Sequence, residues 1–168
     1  MDVADLRQSL ARYHTECFGW ALACCGRDRA EAEDVLQTSY LKILDGRARF
    51  DARSSMKTWI FGIIRRTAAE ERRRGFLRLR IRESQGAEVP LVVEQPNIDA
   101  VDDARVSAGL LAALQSLAPR QREVLQLVFY HSMTIEDAAA VMHVSLGTAR
   151  THYERGKARL RTRLEESA

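Results

Sequence analysis

The sequence predicts an all-α protein: two small helical domains joined by a flexible linker, the C-terminal one a four-helix unit containing a helix-turn-helix. Three observations lead to this prediction. Apolar residues recur every three or four positions in both halves of the chain, the period of an amphipathic helix. A stretch containing Pro90 and Pro96 interrupts that pattern between the halves. Segment 134–164 contains two helical patterns separated by a tight turn, and the second is basic.

Three helices are predicted in the first domain, residues 1–75. The first covers residues 3–25 and ends at Gly26. The second opens at Asp28, which places acidic residues near its positive N-terminal pole, and ends before Asp45-Gly46. Segment 47–55 is predicted to be an ordered loop. The third helix begins near Ser54 and Ser55 and runs to about residue 74, and segment 77–85 is left open as an extension of it.

Residues 76–104 are predicted to be an acidic linker. Two of the chain's three prolines lie there, and residues that precede a proline favour extended backbone. A linker of this length lets the two domains sit apart. The second domain, residues 105–168, begins with an amphipathic helix, and the next helix starts at Pro119, since proline is tolerated in a first turn. The core face of that second helix is predicted to be Val124, Leu125, Val128 and Phe129.

The helix-turn-helix is predicted from its two caps. Thr134 and Ser145 are both good N-cap residues, and the turn falls between them at residues 143–145. The inward face of the second helix is predicted to consist of Ala149, Tyr153, Gly156 and Leu160. The outward face near its N-terminus is predicted to consist of Arg150, Thr151, Glu154 and Arg155. Such a helix suits the major groove of DNA, although an ordinary helical hairpin with a solvated basic face is the alternative.

Charge is segregated along the chain, although the net charge is only +3. Residues 65–82 hold eight arginines against two glutamates, residues 83–104 hold six acidic residues and no Lys or Arg, and residues 142–164 hold six basic residues against Glu154. Two basic blocks separated by an acidic one predict two nucleic-acid contacts joined by a distinct connector. No apolar stretch is long enough to span a bilayer and the N-terminus lacks the form of a secretion signal, so we expect a cytoplasmic protein.

The first nucleic-acid contact is predicted at loop 47–55 and the helix after it. The loop holds Phe50 and three arginines, and the helix continues the positive charge with Arg65 and Arg66. Aromatic and guanidinium planes stack on unpaired bases while arginines hold phosphates, so this arrangement suits single-stranded or melted DNA. The alternative is that Phe50 and Trp59 belong to the core and the arginines only solubilise the surface.

The sequence predicts neither a catalytic site nor a metal site. The sequence has no phosphate-binding glycine loop, no nucleophile motif and no His/carboxylate cluster with metal-ligand spacing, so we expect no enzyme activity, no cofactor and no metal. His14, Cys17 and Cys24 fall on one helix face, yet their spacing matches no common zinc pattern. We therefore predict that Cys17, Cys24 and Cys25 are buried free thiols.

Three segments together resemble the extracytoplasmic-function (ECF) sigma factors of bacteria, the minimal promoter-recognition subunits of RNA polymerase. AEAEDVLQTSYLKIL is similar to the family's polymerase-clamp-binding helix, and FDARSSMKTWIFGIIRRTAAEERRR to its −10 loop and following helix. LAALQSLAPRQREVLQLVFYHSMTIEDAAAVMHVSLGTARTHYERGKARLRTRL is similar to its −35-binding domain. The order of the two domains across a linker is the most specific part of the resemblance.

The resemblance implies roles for particular residues of the first domain. The residues implied to dock on the clamp helices of the largest polymerase subunit are Asp34, Gln37 and Leu41. The loop implied to receive a flipped base of the non-template strand consists of Phe50, Asp51, Arg53, Ser54 and Ser55. The path of that strand is implied to be lined by Lys57, Trp59, Arg65 and Arg66.

In the second domain, the resemblance implies that Arg150, Thr151, Glu154 and Arg155 face the −35 major groove. Thr148 and the positive pole of the recognition helix would hold phosphates. The apolar helices before the helix-turn-helix would grip the flexible flap of the second-largest polymerase subunit, and the acidic linker would thread toward the active-site cleft and RNA exit path. An anti-sigma factor is the regulator that the family implies.

Several positions depart from the family pattern. His143 stands where glycine is usual, at a turn position that often needs positive φ. Ala138 replaces a bulkier aliphatic residue, and His152 and Glu154 stand where basic or aromatic residues are common. A glutamate repels phosphate but accepts a hydrogen bond from the amino group of cytosine, so these changes affect the −35 sequence rather than the class of function.

Two other functions remain open at this point. One is a stand-alone DNA-binding regulator that uses only the second domain, and a gel shift with the protein alone distinguishes it. The other is a sigma-like decoy that sequesters an anti-sigma factor. A decoy has no need of Arg65, Arg66, Arg150 and Arg155, and their presence argues against it.

Overall fold

The computed structural model describes residues 2–85 and 104–166, and all the regular structure in them is helical. The chain divides into two compact units, Met1–Pro96 and Asn97–Ala168. Unit 1 contains α1 (Val3–Cys24), α2 (Arg29–Leu44) and α3 (Met56–Ser84). Unit 2 contains α4 (Ala104–Gln115), α5 (Pro119–Leu125), a π-helical turn (Gln126–Tyr130), α6 (Ile135–Met142) and α7 (Leu146–Glu166). The predicted fold class is confirmed.

The core of unit 1 is a three-helix cluster closed around two large aromatic rings. The rings of Trp20 and Phe61 are almost fully buried and stack with their centroids 5.7 Å apart. The Trp20 indole Nε1–H donates to the Phe61 backbone oxygen at 3.1 Å, which satisfies the only polar atom of the tryptophan ring. Stacking and hydrogen bonding therefore fix α1 against α3 at the same point.

Polar contacts join the other helices of unit 1. The Lys42 ammonium on α2 donates to the Glu70 carboxylate at 2.6 Å and to the Thr67 hydroxyl at 3.1 Å on α3. The Arg72 guanidinium on α3 donates at 2.7 Å to the backbone oxygen of Cys24, the last residue of α1. That bond satisfies one of the carbonyls that every helix leaves unpaired at its C-terminus.

The sequence predicts that the third helix ends near residue 74, with segment 77–85 left open. In the structure α3 continues to Ser84. Leu and Arg are good helix formers and no proline follows until Pro90, so Gly75 alone does not end the helix. The added turns leave large apolar side chains exposed, and these are Phe76, Leu77, Leu79 and Ile81.

In unit 2, a π-helical turn changes which residues reach the core. Of the predicted core face, Val124 and Leu125 are buried and Val128 is half-buried. The prediction is wrong for Phe129, which is 62% exposed, while Leu127 is fully buried instead. The cause is local, since the His131 amide bonds to the Gln126 carbonyl five residues back at 3.2 Å. A π-turn inserts one residue and rotates the residues that follow it away from the α-helical register.

The helix-turn-helix forms as predicted from its caps. The Thr134 hydroxyl accepts from the Asp137 amide at 3.0 Å, and the Ser145 hydroxyl accepts from the Thr148 amide at 3.1 Å. Between them His143 is left-handed, with φ 54° and ψ 47°, which confirms the predicted positive φ. Ser132, before α6, also has positive φ (53°), and no pattern in the sequence predicts this.

Helix α7 approaches α5 closely at Gly156. A Cβ at this position would lie 3.1 Å from the Gln121 Cβ and 3.2 Å from Leu125 Cδ1, closer than ordinary van der Waals contact. Ala149 is fully buried on the same face, and Tyr153 and Leu160 are half-buried. The inward face of α7 is therefore the predicted one, and its small residues determine how near α7 lies to the rest of unit 2.

Residues 86–103, most of the predicted acidic linker, lie outside the described residues, so the proposed domain boundaries stay predictions. Within the described ranges, no helix is both long and apolar enough to cross a membrane.

Candidate nucleic-acid interfaces

The outward face of α7 carries the candidate duplex-reading residues. Arg150, Thr151, Glu154 and Arg155 are all exposed there, in the first three turns of the helix. Neither Arg150 nor Arg155 forms an ion pair with another residue in the described ranges. Two guanidinium groups are thus presented to solvent beside a threonine and a glutamate, which is a set of donors and acceptors suited to base edges and phosphates.

The N-terminal end of α7 is held by a hydroxyl pair. Besides accepting from the Thr148 amide, the Ser145 hydroxyl lies 2.8 Å from the Thr148 hydroxyl, and both residues are exposed. The Thr151 hydroxyl donates to the Gly147 carbonyl at 3.0 Å. Thr148 is therefore part of the cap as well as a candidate phosphate contact, and the positive helix pole beside it opens to solvent.

A row of stacked side chains supports the outward face from one side. The rings of Phe129, on the π-helical turn, and Tyr153, on α7, have centroids 5.9 Å apart at an interplanar angle of 22°. The Lys157 ammonium lies 4.9 Å from the centre of the Tyr153 ring and 3.4 Å from the Glu154 carboxylate. Sequence reasoning missed this row, because it assigns Phe129 to the core.

In unit 1, the loop between α2 and α3 is ordered by its own polar residues. The Asp51 carboxylate accepts from the Arg53 amide at 3.2 Å and lies 3.8 Å from the Arg53 guanidinium. Between them Ala52 has φ 58°, a conformation rare for a residue with a Cβ. Ser55 caps α3 by accepting from the Thr58 amide at 3.1 Å, while Ser54 is half-buried.

Phe50 and Trp59 pack on each other at the base of this loop. Their ring centroids are 5.2 Å apart at an angle of 59°, and both residues are half-buried. Core burial and DNA contact were the two alternatives for Trp59. The structure gives it one packed side and one solvent-accessible side, which is compatible with stacking on a base.

The three basic candidates on α3 lie in different environments. Lys57 forms an ion pair with Glu16 of α1 and lies over the Phe61 ring, and only 21% of its side chain is exposed. Arg65 is half-buried, whereas Arg66 is exposed. Arg66 is seven residues after Trp59, so the two lie on the same helix face two turns apart. The structure therefore brings Phe50, Trp59 and Arg66 to one surface, and holds Lys57 against α1.

The candidate polymerase-binding residues share one exposed face of α2. Asp34, Gln37 and Leu41 are spaced by three and four residues, and all three are exposed. Leu41 is 55% exposed, although Val35 and Ile43 on the same helix are buried. This mixed apolar and polar face is compatible with the predicted contact with a protein partner, but a singly exposed leucine is common on protein surfaces.

The cysteines are only partly as predicted. Cys17 and Cys25 are buried, and burial raises the pKa of each thiol to about 12, so both stay protonated at neutral pH. Cys24, the last residue of α1, is half-buried rather than buried. None of the three cysteines forms a disulfide. No cluster of three or more metal-ligating side chains occurs in the part of the chain that the structure describes.

Family models match both units. The model described as Sigma-70 region 2 matches residues 10–75, and the model described as Sigma-70, region 4 matches residues 107–160. The first match spans the α2 face and the loop before α3, and the second spans the helix-turn-helix.

Individual relatives agree with these matches. The ECF RNA polymerase sigma factor SigX of Bacillus subtilis is 30% identical over 157 residues, which covers 91% of this chain and 80% of the relative. The ECF RNA polymerase sigma factor SigC of Mycobacterium tuberculosis is 31% identical over 141 residues, which covers 82% of this chain and 72% of the relative.

Among solved structures, the sigma factor RpoE of Bartonella quintana, in complex with the anti-sigma factor NepR, is 26% identical with a TM-score of 0.70. That match covers 96% of this chain and 97% of the other. With two family models in the expected order and relatives at this level of identity across most of its length, the chain belongs to the ECF sigma factors of the sigma-70 family.

Proposed function

We propose that this chain is a promoter-specificity subunit that binds core RNA polymerase, recognises −35 and −10 elements and promotes promoter opening. The observation that carries the proposal is the pairing of two different DNA-suited surfaces on one chain. Unit 2 presents an exposed recognition helix, and unit 1 presents an aromatic and arginine surface beside an ordered loop. A single-site regulator needs only the first of these surfaces.

Duplex recognition is assigned to α7. Arg150 and Arg155 donate to base edges or phosphates, and Thr148 with the helix pole contributes a phosphate contact. Glu154 is acidic in a basic neighbourhood, so its favourable partner in a major groove is a base amino group such as that of cytosine. Thr151, between them on the exposed face, contacts either a base edge or the backbone.

Capture of the melted strand is assigned to the loop of unit 1. Phe50 and Trp59 offer ring surface, Arg66 lies on the same face, and the Asp51–Arg53 turn shapes the loop tip. Taking a base out of the stack costs a few kcal/mol. Contacts with a preformed loop offset part of that free energy only when the base fits the loop. Lys57 and Arg65 lie closer to the helical core, so they contribute positive potential behind this surface more than direct contacts.

Binding to core polymerase is assigned to two exposed apolar surfaces. Leu41, flanked by Asp34 and Gln37, is suited to the clamp helices of the largest subunit. Phe129 and Tyr130, 62% and 77% exposed, lie beside the apolar helices expected to grip the flap. A relative of this chain is solved in complex with an anti-sigma factor, and we propose that a factor of that kind regulates this chain by covering the same surfaces.

In vitro transcription with core polymerase on a promoter library tests the proposal. We expect start-site selectivity that depends on both promoter elements, and we expect Leu41→Glu to abolish association with core polymerase. Arg7→Glu, a charge change at an exposed position of α1 away from that face, is the control. The proposal is wrong if core polymerase neither binds the chain nor gains selectivity from it. A specific gel shift by the protein alone would favour a stand-alone regulator.

A further inference from the structure

We infer that Lys157 is a positioning residue for Glu154, and that the stacked rings of Tyr153 and Phe129 hold Lys157 in place. Glu154 thereby becomes a specificity-determining residue for one base pair of the −35 element. The inference rests on the proposed function, because it concerns how the recognition helix reads DNA.

The contacts form one connected row. Phe129 stacks on Tyr153, the Lys157 ammonium lies over the Tyr153 ring, and the same ammonium lies 3.4 Å from the Glu154 carboxylate. The row begins on the π-helical turn and ends on the outward face of α7. It therefore connects a surface outside the recognition helix to a side chain that faces the DNA.

Each contact restricts a different freedom. A lysine side chain has four rotatable bonds, and an aromatic face attracts its ammonium and limits where it lies. Tyr153 in turn is half-buried on the inward face of α7 and stacks on Phe129, so tertiary packing restricts its ring orientation. The ammonium is thus placed by the rings, and the carboxylate is attracted to the ammonium.

The electrostatic consequence is specific to Glu154. A carboxylate that enters a major groove is repelled by the phosphates on both sides. An ammonium 3.4 Å away offsets part of that repulsion and leaves the second carboxylate oxygen to accept from a base amino group. Without Lys157, the same glutamate has more conformations and a larger electrostatic penalty, so its base preference weakens.

The test uses the full-length chain bound to core polymerase and a promoter library randomised at the −35 element. Comparing wild type with Glu154→Gln identifies the position whose preference depends on the carboxylate. Lys157→Met and Phe129→Ala should each weaken the preference at that same position about twofold to fivefold, the range for a surface ion pair. In the Glu154→Gln background neither change should have a further effect on it, because a double-mutant cycle isolates the coupling.

Two variants control for unrelated effects. Arg161→Met removes one positive charge from the exposed side of α7 one turn later, so it should weaken all sequences alike without changing the preference. Phe76→Ala removes an equally exposed aromatic ring, on α3 of unit 1, that lies against Arg80 and belongs to none of the assigned binding surfaces, and it should leave the preference unchanged.

Three results would overturn the inference: no library position depends on Glu154, Lys157→Met retains the full preference, or Phe76→Ala has the same effect as Phe129→Ala. Failure of the proposed function has a different signature. In that case the library shows no promoter selectivity at all, with wild type or any variant.

Discussion

Helices α3 and α7 start with the same cap but face different surroundings. Each is a long helix rich in arginine, and each begins after a serine whose hydroxyl accepts from the amide of a threonine three residues on, at 3.1 Å. In both caps the two hydroxyl oxygens are 2.8 Å apart. Yet Thr58 is 3% exposed and packs into unit 1, whereas Thr148 is exposed.

The difference shows that a capping motif determines where a helix begins but not what its first turns contact. The first turns of α3 bury Ile60, Phe61 and Ile64, so the surface proposed to contact nucleic acid is restricted to one side of the helix and to the preceding loop. The first turns of α7 bury only Ala149, which leaves most of their circumference to a ligand. In this chain, packing around the helix start therefore distinguishes the surface proposed to capture a melted strand from the surface proposed to read a duplex.

The largest expected effect concerns the exposed arginines of α7. Arg150→Ala and Arg155→Ala should each reduce promoter-directed transcription by about tenfold to a hundredfold, since loss of a base or phosphate contact costs roughly 1–3 kcal/mol. Association with core polymerase should persist, because neither residue lies on the surfaces assigned to that contact. The measurement is abortive initiation together with a pull-down of core polymerase. If both variants retain −35-dependent initiation, the recognition-helix assignment is wrong.

A second prediction compares one glycine in each long helix. Gly156→Val should destabilise unit 2 by about 2 kcal/mol or more, because the added atoms overlap Gln121 and Leu125. Gly75→Ala should stabilise unit 1 by about 0.5–1 kcal/mol, since a Cβ there meets nothing within 4 Å and alanine is the better helix former. Hydrogen exchange of the amides in α7 and α3 measures each unit separately. Equal responses would contradict the close approach of α7 to α5.

A third prediction tests whether the two caps are energetically alike. Ser55→Ala and Ser145→Ala should each lower the stability of their own unit by about 1 kcal/mol, the usual value of a hydroxyl N-cap. Aspartate also accepts from the first-turn amides, so Ser55→Asp and Ser145→Asp should restore most of the loss. Hydrogen exchange of the amides in α3 and α7, measured at increasing urea concentration, gives the change in unfolding free energy of each unit. A loss confined to one helix would mean that tertiary packing, not the cap, determines where the other begins.

The smallest expected effect is a pH dependence in unit 1. The hydrogen bond from Lys42 lowers the pKa of Glu70 below its ordinary value of 4.5. A lowered folded-state pKa contributes stability above the unfolded value, and that stability is lost as pH falls through the folded pKa. The pair is partly exposed, so a few tenths of a kcal/mol are expected. Urea titrations at pH 3 and pH 6 should show a smaller pH difference in Glu70→Gln than in wild type, and an unchanged difference would assign it to other carboxylates.

Features determined by neighbouring residues could be predicted from the sequence. The caps at Thr134 and Ser145, the left-handed His143 and the inward face of α7 depend on residues within two helical turns, and all are as predicted. The fold class could also be predicted, since each helix that buries one side leaves an apolar residue every three or four positions in the sequence.

Features determined by tertiary packing could not be predicted. The ion pair of Lys57 with Glu16 joins residues 41 positions apart, and no periodicity signals it. The exposure of Phe129 depends on a single π-helical turn. The apolar spacing of the sequence does not reveal such a turn, which rotates the side chains away from the α-helical register. The sequence left open whether segment 77–85 extends the third helix, and the structure shows that it does, to Ser84.

The placement of the two tryptophans gives the protein a built-in optical reporter. Both tryptophans lie in unit 1: Trp20 is buried against Phe61 in the core, and Trp59 packs on Phe50 at the base of the loop. Intrinsic emission excited at the indole band thus follows unit 1 alone, with Trp20 reporting whether its core is intact. Quenching of Trp59 by an oligonucleotide would register strand capture directly, without any label, while unit 2 contributes no signal of its own.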